Sequence, residues 1–128
     1  MGKKLSDYER ALKASEWRRE HPDEDFPSWA NLTGVNLYGV DLREVDLHGA
    51  NLYGANLSEA NLSWANLRGA NLSWANLYGV NLYEANLQEA NLDRAKLGGA
   101  DLTGVDLTGV DLGDWVRGPD GIARPKKS

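Results

Sequence analysis

The 128-residue chain has no cysteine, one phenylalanine and one methionine. Without cysteine there is neither a disulfide framework nor a thiolate metal site. Basic residues are scarce in the middle of the chain. Residues 30–114 carry four (Arg43, Arg68, Arg94 and Lys96) against eleven acidic side chains, a balance of −7. Surfaces that bind nucleic acid ordinarily have the opposite sign, so direct DNA or RNA binding by this stretch is not expected. No apolar run approaches membrane-spanning length, and the N-terminus, MGKKLSDYERALKASEW, lacks the apolar core of a signal peptide. A cytoplasmic protein that does not engage membranes is the expectation. His21 and His48 stand alone, without a second metal ligand at useful spacing, and no phosphate loop or nucleophile–base pair can be read. These absences lead to the expectation of a protein that is not an enzyme and needs no cofactor and no metal.

What the chain does have is a repeat. Leu recurs at every fifth position from Leu32 to Leu112, seventeen times without a miss. Two residues before each Leu stands Ala or Val, and directly before it Asn eleven times, Asp five times and Lys once, at Lys96. A five-residue period fits neither regular element. On an α-helix each step turns the Leu by about 140°, scattering them around the surface. On a flat strand odd spacing puts successive Leu on opposite faces. Five residues therefore combine a short extended piece with a turn, so that every Leu returns to the same inside, and turns of one hand stack the pieces into a solenoid. Within a quintet the Leu and the small residue two before it share pleat parity and face inward. Gly commonly follows two residues after Leu, where a tight turn calls for positive φ. The Asn side chains have two uses open to them: hydrogen bonds along the column, or bonds to the local backbone of the turn.

The A(D/N)Lxx quintets of residues 30–114 resemble those of the pentapeptide repeat proteins. That resemblance implies an all-β solenoid, a right-handed quadrilateral β-helix with one quintet per side, so that seventeen quintets make a little over four coils. It also implies a non-enzymatic protein-interaction or structural module. The alternative, drawn from gyrase-directed members of the family, is a DNA-mimicking inhibitor or protector of a DNA-handling enzyme such as DNA gyrase. The outward residue before Leu is Asp only at 41, 46, 101, 106 and 111, which departs from an acidic, duplex-like surface.

A stack of coils has two open edges that need covers. Residues 1–29 are read as an N-terminal helix and capping segment. Ser6-x-x-Glu9 resembles a capping box, Leu5, Tyr8 and Leu12 line one helical face, and the helix runs near 6–20 until His21-Pro22 ends it. Phe26 and Trp29 are placed at the base. Residues 115–128 are read as a C-terminal cap, with Trp115, Val116 and Ile122 over the other edge, and a flexible basic tail. No amphipathic helix follows Leu112, so the protein is expected to be a monomer, or a homodimer through its C-terminal coil. Sorting outward positions into columns 20 apart groups Glu44, Trp64, Tyr83 and Glu84 into one aromatic-acidic cluster, the candidate contact site for a protein partner. Trp64 and Trp74 lie half a coil apart and face away from each other.

Overall fold

Each quintet closes on itself through one turn. The N–H of the residue three after Leu donates to that Leu carbonyl, from Val35 to Leu32 (3.3 Å) through Val110 to Leu107 (2.9 Å). The residue two after Leu has positive φ in all sixteen quintets from Leu32 to Leu107, the sign pattern of a type II turn. Nine of these residues are Gly, with φ of 65–74°. The other seven are Glu44, Glu59, Trp64, Trp74, Glu84, Glu89 and Arg94, at 56–63°. Their Cβ atoms hold them nearer the left-handed minimum close to 57°.

The computed structural model describes residues 4–127. Eleven isolated parallel bridges, from Asn36–Asn56 to Asn86–Asp106, each join residues 20 apart. Four quintets thus make one coil. A typical side is sewn to the next coil by three bonds: Leu72 N–H to Asn91 O (2.8 Å), Trp74 N–H to Asp93 O (2.9 Å) and Asn91 N–H to Ala70 O (2.9 Å). Only one residue per side is bridged, because the turn consumes the rest of the quintet; the coils carry no continuous strands among the described residues.

Fifteen leucines, Leu32 to Leu102, are at most 5% exposed, and the Ala or Val two residues before nearly all of them is buried beside them. The pairing follows the pleat parity. The residue between them turns its side chain back onto its own turn. In sixteen of the seventeen quintets the Asn or Asp Oδ1 accepts the N–H two residues on, as in Asn61 from Ser63 (3.0 Å) and Asp101 from Thr103 (3.0 Å). Lys96, the one residue of the series without such an oxygen, is the exception. Of the two uses open to Asn, the local one is found. No Asn–Asn ladder occurs among the described side-chain hydrogen bonds.

Helix α1, Asp7–Glu20, lies across the base. Ser6 is its N-cap and forms the reciprocal capping box with Glu9, and His21 is the C-cap. Its buried face is made of Ala11, Ala14, Ser15 and Arg18, with Tyr8 and Leu12 at the margin. Small residues let it approach closely enough to replace the coil that the first turn lacks below it. Asp7 Oδ2 accepts Asn36 N–H (2.9 Å), Ser15 Oγ accepts Asp46 N–H (2.8 Å), and the Tyr8 hydroxyl donates to Asp41 O (3.0 Å). In higher coils such amide donors bond to the carbonyl of the coil beneath.

Arg18 is buried without a carboxylate partner among the described residues. Its Nη1 donates to the carbonyls of His21, Pro22 and Glu24, and its guanidinium lies 3.9 Å from the centre of the Phe26 ring. Phe26 does pack against the core, whereas Trp29 is 43% exposed. His48 bridges Asp46 (Nδ1, 2.7 Å) and the Pro22 carbonyl (Nε2, 2.8 Å), and His21 stacks on Trp17 with ring centres 4.3 Å apart. Both histidines are joints of the base.

The C-terminal segment is an antiparallel hairpin of β1 (Trp115–Arg117) and β2 (Ala123–Pro125), a structure the sequence reading did not anticipate. It continues the stack over one rim: Leu102 N–H donates to Gly121 O (2.8 Å), and Ala123 N–H to Ala100 O (2.8 Å). Gly121 and Ala123 are the residues it buries, while Val116 is 45% exposed, so Val116 is not part of the lid. The last quintet, 110–114, differs from the others. Its positive φ falls at Gly113, one residue early, and the bonds that would sew Leu92 and Arg94 to it are missing.

Candidate functional site

A positive φ throws the side chain at the turn outward and along the stack, which is how the candidate cluster is built. Glu44, Trp64 and Glu84 occupy equivalent turn positions one coil apart, with φ of 62°, 63° and 56°. Their amides bond in sequence to Ser63 O, Tyr83 O and Thr103 O at 2.8–3.0 Å. The Trp64 ring meets the Tyr83 ring edge-on, with centroids 5.9 Å apart and planes at 74°. The structure therefore brings Trp64 and Tyr83 into contact. It sets Glu44 one coil below Trp64 and Glu84 one coil above it.

The pair is open to solvent: Trp64 is 58% exposed and Tyr83 40%. Edge-to-face rings protect little of each other, so the column presents a large apolar area between two carboxylates. Glu84 lies flat against the next coil, its carboxyl group occupying the space a side chain at Gly104 would fill. At the lower end Arg19 Nη2 donates to Glu44 O (2.5 Å), which ties the base helix to the same column. Beside it Arg43 grips Asp41 through two bonds (2.9 and 2.8 Å) and holds that carboxyl below its ordinary range. The rim is thus charged and its centre aromatic, the pattern of a protein-binding patch.

Trp74 stands half a coil away, 57% exposed, with the Arg94 guanidinium 5.7 Å from its ring centre. It is a separate surface, as the spacing requires. Among the described residues no group of three or more His, Asp or Glu is placed to hold a metal, and no helix is long and apolar enough to cross a membrane. The sequence reading missed the arrangement above Trp74, where Trp115 Nε1 donates to Ala95 O (3.1 Å) and a cleft opens under the last quintet. Its one sequence signal is Gly118-Pro119-Asp120-Gly121, a turn that folds the tail back as a hairpin.

The family model for pentapeptide repeats matches residues 28–58, 46–82, 55–93 and 85–114, with eight copies in all. The chain belongs to the pentapeptide repeat family. Among solved structures it is similar to the pentapeptide repeat protein Rfr23 from the cyanobacterium Cyanothece 51142, at 42% identity and a TM-score of 0.60. That match covers 70% of this chain and 63% of the other. It is equally similar in sequence (42%, TM-score 0.62) to HetL of the cyanobacterium Nostoc sp. strain PCC 7120, a member involved in heterocyst differentiation regulation. There it covers 73% of this chain and 43% of HetL. A pentapeptide repeat protein of the Arabidopsis thaliana thylakoid lumen matches at 36% identity and a TM-score of 0.51, over 66% of this chain and 69% of that one. The chain therefore spans less than two thirds of the length of the two cyanobacterial relatives. A search of curated proteins finds no match. Proteins of this family are in general structural and interaction modules rather than enzymes.

Proposed function

We propose that this protein is a cytoplasmic, non-enzymatic interaction module, a right-handed four-sided coil that presents the Glu44–Trp64–Tyr83–Glu84 column to a protein partner. The observation that carries this reading is the exposed edge-to-face pair of Trp64 and Tyr83. Trp64 sits in a backbone conformation that a bulky residue adopts at a cost of about 1–2 kcal/mol. Strained residues that fold stability does not call for are characteristic of functional surfaces. Large aromatic rings are also the side chains that most often dominate binding energy at interfaces. A DNA-mimicking role would need the Asp carboxylates at 41, 46, 101, 106 and 111 as a charge array. They fall instead in two groups, separated by neutral Asn at every quintet from Asn51 to Asn91 and by Lys96, which favours the interaction reading.

The test is affinity capture with the wild-type chain and with Trp64→Ala and Glu84→Ala variants. Partners retained by the wild type are expected to be lost from Trp64→Ala and retained by Trp74→Ala. Identical partner sets for wild type and Trp64→Ala would remove the proposed face.

A further inference from the structure

An open backbone edge lies at the C-terminal rim. In the stack below, each side offers two N–H donors and one carbonyl to the coil above it, as Leu72, Trp74 and Ala70 do. One coil higher the corresponding groups are the N–H of Leu92, the N–H of Arg94 and the carbonyl of Ala90. None of these three has a backbone partner among the described residues. The quintet that should pair with them, 110–114, bows away and leaves a cleft of about 910 Å³ beneath it. A half-open strand edge roofed by a loop is a receptor for an extended chain, since such an edge supplies main-chain hydrogen bonds without any side-chain code.

The lining chooses the occupant. Asp93, Asp111 and Asp114 line the cleft, as does Glu89, which Arg68 pairs at 3.7 Å, and the one basic lining residue is Arg94. Trp74 and Trp115 also line it, both at its Arg94–Ala95 end: Trp74 already holds the Arg94 guanidinium at 5.7 Å, and Trp115 bonds the Ala95 carbonyl. Acidic walls and aromatic rings suit lysine and arginine side chains. The stretch from Ala90 to Arg94 is five residues long, which sets the length of segment engaged.

We propose that the cleft between residues 90–94 and the displaced last quintet binds an extended, basic peptide segment of a partner protein, which adds to the rim as the missing side of the next coil. The segment runs parallel to 90–94. One of its residues supplies a carbonyl to Leu92 N–H and an N–H to Ala90 O, and the residue two further on supplies a carbonyl to Arg94 N–H. This site is distinct from the Trp64 column and does not depend on it.

The experiment uses the full-length chain labelled with ¹⁵N and three synthetic heptapeptides: alternating Lys-Thr, alternating Glu-Thr, and Lys-Thr with every backbone nitrogen methylated. The Lys-Thr peptide is expected to bind saturably, shift the Trp74 and Trp115 indole signals, and slow hydrogen exchange at the Leu92 and Arg94 amides, with the Trp64 indole unmoved. Methylation is expected to weaken binding about tenfold, by loss of the Ala90 bond and by bulk. Asp93→Asn combined with Asp114→Asn is expected to weaken it about threefold to tenfold. Equal binding of the methylated peptide would reduce the effect to charge alone and overturn the proposal. So would Leu92 and Arg94 amides already protected in the free protein, whether by the last quintet closing or by a second copy detected in sedimentation. Partner sets unchanged by Trp64→Ala, with peptide binding intact, would strike the Trp64 column only.

Discussion

Seventeen leucines look equivalent in the sequence, and the structure says that they are not. Leu72 is 0% exposed between Ala70 and Ala75, midway along the stack. Leu112 is half-buried, beside the cleft. Replacing Leu72 with Ala removes three buried carbons, worth about 0.8 kcal/mol each in transfer free energy. The coils above and below are held by their own hydrogen bonds and collapse only partly, so a cavity term adds to this and the total is about 3–4 kcal/mol. At Leu112 the same change removes atoms that are already partly hydrated and leaves no closed cavity, so the cost is about 1 kcal/mol. Urea unfolding followed by tryptophan fluorescence and circular dichroism measures both, compared at constant m. Equal costs at the two positions would show that the last quintet is packed like the rest and that the cleft is shut. A cost below 1 kcal/mol at Leu72 would refute the dry leucine axis itself.

Three further outcomes follow from local geometry. Ser15→Ala leaves the Asp46 amide without an acceptor beneath a buried helix face, and is expected to cost about 1–3 kcal/mol and to speed exchange of that amide. Gly54→Ala meets no atom within 4 Å but must hold φ near +66°, so it tests backbone strain alone, with an expected loss of about 1 kcal/mol in the same urea assay. The Arg124 guanidinium, with help from the Ile122 amide, holds the Asp120 carboxyl well below the usual range. A depressed folded-state value stabilises the hairpin above the ordinary carboxylate range, and that contribution is lost as pH falls below about 4. Amide exchange across β1 and β2 is expected to accelerate there in the wild type, and Asp120→Asn to flatten the dependence.

Much of this was legible because the repeat over-determines it. The period of five forced a turn into every quintet, the parity of Leu with Ala or Val fixed the inside, and Ser6 with Glu9 located the start of α1 to within a residue. What escaped depends on contacts between distant segments. Nothing near Arg18 in the chain says that its charge is buried against three carbonyls and the Phe26 ring. Leu5, Tyr8 and Leu12 were the obvious apolar face, yet Ala11, Ala14 and Ser15 do the burying, because close approach to the coil favours small side chains over large ones. The tail's hairpin was obscured by its shortness, although Gly118-Pro119-Asp120-Gly121 marks its turn. The grouping of Glu44, Trp64, Tyr83 and Glu84 needed only the 20-residue coil, and the structure adds the ring contact.

The turn position also separates what the coil requires from what it tolerates. Its backbone conformation suits Gly, and nine of sixteen quintets have Gly there. The other seven carry Glu, Trp or Arg, and each positive-φ side chain is directed along the stack instead of into the core. Glu84 covers Gly104, Glu59 covers Gly79, Trp64 reaches Tyr83 and Trp74 reaches Arg94. Each such residue adds strain of about 1–2 kcal/mol and gains only a partly solvated contact, so fold stability alone favours Gly at these places. The two tryptophans among them supply the centre of the proposed interaction face and one end of the proposed peptide cleft. The proposed surface contacts of this coil thus fall mainly at the one position of the quintet where a side chain opposes the backbone, and the buried Leu and Ala hold that position in place.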